Sequence, residues 1–322
     1  MQTTQKKINR YSGFEKKKFT FIYLFIAFPV AQFLVFWLYV NFSSIVLAFQ
    51  DGEGLPTFDN FKMIFQAMFK EQGYNESVPL FKTMMRSLFL WGLDFVILFP
   101  IGVTTTYILY RELPGHYVFR LCYIIPSLMG AVVWSKLIIY IVGARGLMVN
   151  FLNDLGWISD PRLIKVGLFG SDDTAFPTIV AIKILMGLVG NNAVLTGAFT
   201  RVPDEIYESA ELDGAGFWRT YINIAVPCVW STIATLMTFS LCSFITADYN
   251  VFLFTGGSGA HDTSTVGFLL YKITWTISNS AVSGDPYYGY PAALGVFLTC
   301  ITLPVVLGGR KIIEKIFADV EV

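Results

Sequence analysis

Six apolar runs dominate the chain: Phe19–Phe49, Met85–Tyr110, Leu121–Val142, Ala175–Phe199, Ile224–Thr246 and Tyr290–Leu307. Each approaches or exceeds the ~20 residues that a helix needs to cross hydrocarbon. In that solvent every backbone polar group must be satisfied within the segment, so the runs predict helices. The expected fold class is therefore an all-α integral membrane protein with about six spans. Composition agrees: 54% of the 322 residues are hydrophobic and only 14% charged, against about 25% charged in soluble domains.

The first run is much longer than the 7–15-residue apolar core of a signal peptide, so it reads as an uncleaved helix. Side can be assigned by counting cations. Lys6, Lys7, Arg10, Lys16, Lys17, Lys18, Arg111, Arg120, Arg201, Arg219, Arg310, Lys311 and Lys315 fall on one side of the expected spans. Lys62, Lys70, Lys82, Arg145, Arg162, Lys165 and Lys272 fall on the other. The richer side is expected to be cytoplasmic and to hold both termini. This divides the chain into a basic tail (1–18), a first span with its outer loop (19–84), a five-span core (85–310) and a short tail (311–322). A short amphipathic helix is expected around Phe58–Phe69, and a tight turn at Arg111–His116.

Several chemistries are absent from the sequence. There is no Walker-type glycine loop, no Gly-x-Ser-x-Gly and no His-Glu-x-x-His, so neither nucleotide hydrolysis nor a familiar hydrolase centre is legible. Cys122, Cys228, Cys242 and Cys300 have no paired spacing, and His116 and His261 lie far apart. Neither a disulfide framework, a metal site nor a catalytic pair is expected. A formal net charge of zero, with no basic patch, argues against nucleic acid as a partner.

The segment 200–223 is polar and acid-rich, set between two apolar runs on the cytoplasmic side. Pro203 suits a helix start, and Asp204, Glu205 and Glu208 favour the positive end of the helix dipole. Ile206 and Ala210 share a face, and Asp213-Gly214 stops the helix and turns the chain. An ordinary amphipathic loop would satisfy these features alone. The longer spacing is more specific: Glu208-Ser209-Ala210, three residues, Gly214, nine residues, then Ile224-Ala225-Val226-Pro227. It resembles the E-A-A, x3, G, x9, I-x-L-P motif of permease subunits of bacterial ABC importers, with Ser209 and Val226 as departures.

Further stretches are similar to the sugar permeases of that family, in the maltose and glycerol-phosphate importer group. They are Ala144–Gly156, Gly187–Asn192, Asp248–Gly257 and Gly289–Ala293. The resemblance covers about Phe95 to Arg310. It implies a non-catalytic permease subunit of the bacterial cytoplasmic membrane, forming half of an oligosaccharide path. It also implies a sister permease, a dimer of ATPase subunits that bind ATP and Mg, an extracytoplasmic sugar-binding protein, surrounding lipid, and no cofactor in this chain. Glu208, Ser209, Ala210, Asp213 and Gly214 would couple to the ATPase.

Arg86, Lys136 and Lys183 lie within or at the edge of spans, where a charge costs about 2.5–3.5 kcal/mol and must face protein or a wet cavity. Asp94 is the evident partner for one of them. Two readings stand: a structural ion pair, or Lys136 and Lys183 lining the path and meeting an anionic group, as on a uronic-acid oligosaccharide. Trp134, Tyr140, Asn191, Asn192, Asp248, Tyr249 and Asn250 are further path candidates, as rings for sugar faces and polar groups for hydroxyls. Against them stands a chain with 30 Phe, 16 Tyr and 7 Trp, many of which belong to interfacial belts. An ion-coupled secondary transporter is the alternative function, but the two matching halves expected of one are not found. An integral-membrane enzyme would require clustered His or acidic residues at the membrane face, which are also not found.

Overall fold

The fold is taken from a computed structural model, described over residues 18–69, 79–111, 117–118, 125, 129–157, 160–187, 192–247, 250–255, 263–280 and 287–316. It is an all-α membrane architecture, and the described segments fall into two compact units.

The first unit comprises the chain to Lys62 together with Tyr287–Val296. Its main element is α1 (Lys18–Ala48), 31 residues and apolar enough to span. The loop after it closes on itself. Asp51 Oδ1 accepts the amides of Glu53 and Leu55 at 3.0 and 2.8 Å, so the polar Asp-Gly-Glu-Gly stretch forms a turn. α2 (Asp59–Phe69) follows, within a residue of its expected position. Asn60, 1% exposed, donates from Nδ2 to the carbonyls of Ala48 and Gln50. The Tyr287 hydroxyl is 2.8 Å from Asn60 Oδ1 and also bonds the Gln50 carbonyl. On the exposed rim the Lys62 ammonium, with Thr57, holds the Asp59 carboxyl below the usual carboxylate range.

The second unit holds Met63–Pro286 and Phe297–Val322. Its helices are α3 (Leu80–Tyr110), α4 (Ala131–Val142), α5 (Leu147–Asp154), α6 (Arg162–Val166), α7 (Asp172–Gly187) and α8 (Asn192–Phe199). They continue with α9 (Asp204–Leu212), α10 (Phe217–Cys228), α11 (Trp230–Cys242), α12 (Val251–Thr255) and α13 (Val266–Ser280). The last helix, α14 (Gly289–Ile316), begins in the first unit and ends in the second.

In α3 the buried side chains Leu80, Thr83, Met84, Ser87 and Leu90 recur at helical spacing and form one stripe. A π-turn over Leu93–Leu98 then shifts the register, and burial resumes at Leu98, Gly102, Val103, Thr106 and Tyr107. Polar ties fix its neighbours: Ser87 Oγ accepts the Val266 amide at 2.9 Å, and Trp91 Nε1 donates to the Ser240 carbonyl at 2.9 Å.

The described parts of the fourth run are α7 and α8; residues 188–191 between them lie outside the described residues. The spans differ from expectation in two respects. The expected return of the chain from about Phe217 into the fifth run is realised by α10, and the run is sharply bent: α10 and α11 meet at 74°. The bend falls at Val229 (φ −103°, ψ 11°), two residues after Pro227. Helix α13 lies between the fifth and sixth apolar runs, where no helix was expected.

Candidate functional site

Two places concentrate polar groups at the spans: the α9 loop and an internal cavity.

Helix α9 starts after Pro203, which is extended (φ −58°, ψ 136°), and carries Asp204 and Glu205 in its first turn. Its end is a full Schellman motif. The Ala215 amide bonds the Ala210 carbonyl at 2.9 Å and the Gly214 amide bonds the Glu211 carbonyl at 3.0 Å. Gly214 sits at φ +75°, with open space where a side chain would be. Gly214→Ala therefore introduces strain without a clash, costing about 1 kcal/mol. Hydrogen exchange at the Gly214 and Ala215 amides should quicken about five-fold, the factor for 1 kcal/mol; unchanged exchange would show that the turn is held by something else.

One face of α9 packs inward. Tyr207 and Ala210 are 1% and 5% exposed, and Tyr207 joins Val103, Tyr107, Phe199, Tyr221 and Ala225 in a core shared by α3, α8 and α10. Tyr107 lies at the centre, with ring centroids 5.0–6.5 Å from Phe199, Tyr207, Phe217 and Tyr221. Such ring pairs contribute about 0.5–1.5 kcal/mol each beyond area burial. Burial pushes the Tyr207 phenol above its ordinary pKa. At the end of α3, Arg111 pairs with Glu211 and lies 5.1 Å over the Tyr207 ring.

The other face is open. Glu208, Ser209, Asp213 and Gly214 are all exposed, and Leu212 is 89% exposed. Of the five coupling candidates, Ala210 alone turns away from water.

The cavity, about 310 Å³, lies between α3, α7, α8, α11 and the start of α12. Its polar lining comes from Asp94, Lys183, Ser240 and Asn250. Lys183 Nζ is 2.9 Å from Asp94 Oδ1, and both side chains are partly exposed. Asp94 sits in the π-turn of α3, a type of irregularity frequent at functional sites. Gly187 allows close approach of α7: a Cβ there would collide with the Leu98 side chain. Asn250 has φ +60°, a left-handed conformation that Asn tolerates better than most residues.

The sequence-derived path residues separate into groups. Lys183 and Asn250 meet at the cavity. Trp134 is half-buried beside Ile182 and Phe254, one layer behind its wall. Lys136 and Tyr140 are exposed on the far face of α4 and do not reach it. Asn191, Asp248 and Tyr249 lie outside the described residues, as does the side chain of Asn192. Ser240 had no sequence signal beyond a hydroxyl in a span. Asp94 was legible as the one acid in the second run.

No family model matches the chain. It is 26% identical over 310 residues to the diacetylchitobiose uptake system permease NgcF of Streptomyces coelicolor, covering 88% of this chain and 79% of that one. It is 25% identical to the lactose transport system permease LacF of Rhizobium radiobacter, over 79% and 83% of the two chains. A solved bacterial ABC transporter involved in importing the acidic polysaccharide alginate matches the fold with TM-score 0.74. The identity there is 19%, with 94% of this chain and 98% of that one covered. A second structure, of a bacterial alginate ABC transporter in complex with an alginate pentasaccharide-bound periplasmic protein, gives TM-score 0.72 at 21% identity, covering 94% and 97%.

Over most of its length the chain is thus similar to the permease subunits of sugar ABC importers, which are non-catalytic subunits of their transport complexes. It exposes one face of α9 to water, and α9 packs through its aromatic core against α3, α8 and α10.

Proposed function

We propose that this permease forms half of an oligosaccharide path in the bacterial cytoplasmic membrane, with both termini in the cytoplasm. Its partners would be a sister permease, a dimer of ATPase subunits and an extracytoplasmic sugar-binding protein. The observation that carries the coupling half of this reading is the exposed face of α9 on a buried aromatic core. Glu208, Ser209, Asp213 and Gly214 would meet the ATPase, with Ala210 buried behind them. Closure of the ATPase pair would then pull on the spans through Tyr207, Tyr107 and Arg111.

For the path, the supporting feature is the Asp94–Lys183 pair with Ser240 and Asn250 in one cavity. Together they offer donors and acceptors suited to sugar hydroxyls. Because Lys183 is answered by Asp94, it is a hydroxyl partner rather than a receptor for an anion. Lys136 is different: it lies away from this cavity, exposed on α4 with no ion-pair partner among the described residues, and suits a carboxylate of an acidic sugar on a stretch of the path outside the cavity. Trp134, Tyr140, Asn191, Asn192, Asp248 and Tyr249 remain candidates for the same path. An acidic cargo is also what the solved structural neighbours are described as importing.

The test is uptake by vesicles holding the full importer, with labelled tetraguluronate or maltotetraose. Lys136→Met should lower tetraguluronate uptake about ten-fold and leave maltotetraose uptake unchanged. Equal uptake of tetraguluronate by variant and wild type would remove the acidic-cargo reading while leaving the sugar reading standing.

A further inference from the structure

Outside the cavity, α12 and α13 carry an exposed set of rings. Phe252, Tyr271 and Trp275 are 39%, 44% and 57% exposed. Tyr271 and Trp275, four residues apart on α13, stack with centroids 6.1 Å apart and planes within 18°. Phe252 meets Tyr271 edge-on at 5.1 Å. The opposite face of α13, with Phe268, Leu269, Ile273 and Ile277, is buried. The rings therefore line the outward side of a helix whose inner side is already packed.

Two features make this side unlike a lipid-facing belt. Ser278 and Asn279 share the exposed half of α13 with the rings and with Thr274, whose hydroxyl donates to the Leu270 carbonyl at 2.8 Å, and hydrocarbon offers an exposed amide such as that of Asn279 nothing. The rings are also continuous with the cavity through a single short helix. In α12, Phe252 joins the ring set, Phe254 lines the cavity wall, and Asn250 just ahead of the helix contributes a polar group to it.

We propose that Phe252, Tyr271 and Trp275 form a stacking platform that takes the apolar C–H faces of pyranose rings at the outer mouth of the path. The electron-rich ring faces attract the weakly positive C–H groups. Thr274, Ser278 and Asn279 receive the hydroxyls at the ring edge. Three rings in a row along α12 and α13 offer more aromatic area than one pyranose covers, which suits an oligosaccharide over a monosaccharide. This proposal rests on the oligosaccharide reading above and assigns it a subsite on residues outside the cavity.

The test is equilibrium binding to the complete importer in nanodiscs, without nucleotide. The probes are maltotetraose, diacetylchitobiose and tetraguluronate. The platform predicts that at least one probe binds and that the double variant Tyr271→Ala/Trp275→Ala weakens it about five- to ten-fold. Tyr271→Phe/Trp275→Phe should keep the dissociation constant within about two-fold, because a stacking surface survives that change. An unchanged constant in the alanine variant, with the complex intact by size-exclusion chromatography, would overturn the platform and make the rings a lipid belt. Failure of all three probes to bind the wild-type complex would also overturn it. Uptake of the same sugars by vesicles then judges the oligosaccharide reading separately.

Discussion

Replacing Asp94 by leucine should destabilise the permease and stop transport, and the reason lies in the charge left behind. Lys183 sits 2.9 Å from Asp94. Removing one partner of a buried pair typically costs 3–5 kcal/mol, because the other charge is left uncompensated. The side chains here are 21% and 37% exposed, so water screens part of the loss and about 1–3 kcal/mol is expected. Lys183→Met alone should behave similarly. The double variant Asp94→Leu/Lys183→Met removes both charges and should recover stability to within about 1 kcal/mol of wild type. Thermal melting of the detergent-solubilised complex measures the three values. Uptake separates structure from path: the double variant should remain folded yet transport at least ten-fold more slowly. Wild-type uptake by that variant would show that the cavity is not on the path.

The second large effect is expected at the coupling loop. Glu208→Arg/Gly214→Arg reverses a charge on the exposed face of α9 and places a long side chain at φ +75°. The first change opposes whatever surface accepts the acidic helix; the second strains the Schellman turn. Neither touches the buried Tyr207–Tyr107 core, so insertion and folding should be preserved. ATP-driven uptake should fall at least 100-fold, with the ATPase lost from the purified complex and the sister permease retained. Co-loss of the sister permease would instead point to global misfolding of this chain.

Much of this was readable in the sequence because the physics is local. The α9 stop at Asp213-Gly214, the amphipathic α2 and the need of an intramembrane lysine for Asp94 follow from spacing, caps and burial cost. What was not readable depends on packing. The inward turn of Ala210 is set by how α9 rotates on the Tyr107 cluster, and the Ile206/Ala210 pair by itself fits either side. The 74° break falls at Val229 beside Pro227, and a proline near a helix start does not announce how far a chain will bend. α13 escaped because Thr274, Trp275, Thr276, Ser278 and Asn279 interrupt its apolar period of Leu269, Ile273 and Ile277. The same interruption marks its exposed half as different from a lipid-facing helix. Lys136 and Lys183 looked equivalent as isolated lysines in spans; the fold gives one an acid and leaves the other on an open face.

If a separate ATPase drives this permease through α9, purification of the tagged chain from its native membrane in mild detergent, with every co-purifying protein identified, should recover a second multi-span permease and an ATPase subunit, with the ATPase lost specifically in Glu208→Arg/Gly214→Arg. Recovery of the chain alone or only as a homo-oligomer, with that variant indistinguishable from wild type, would contradict that drive.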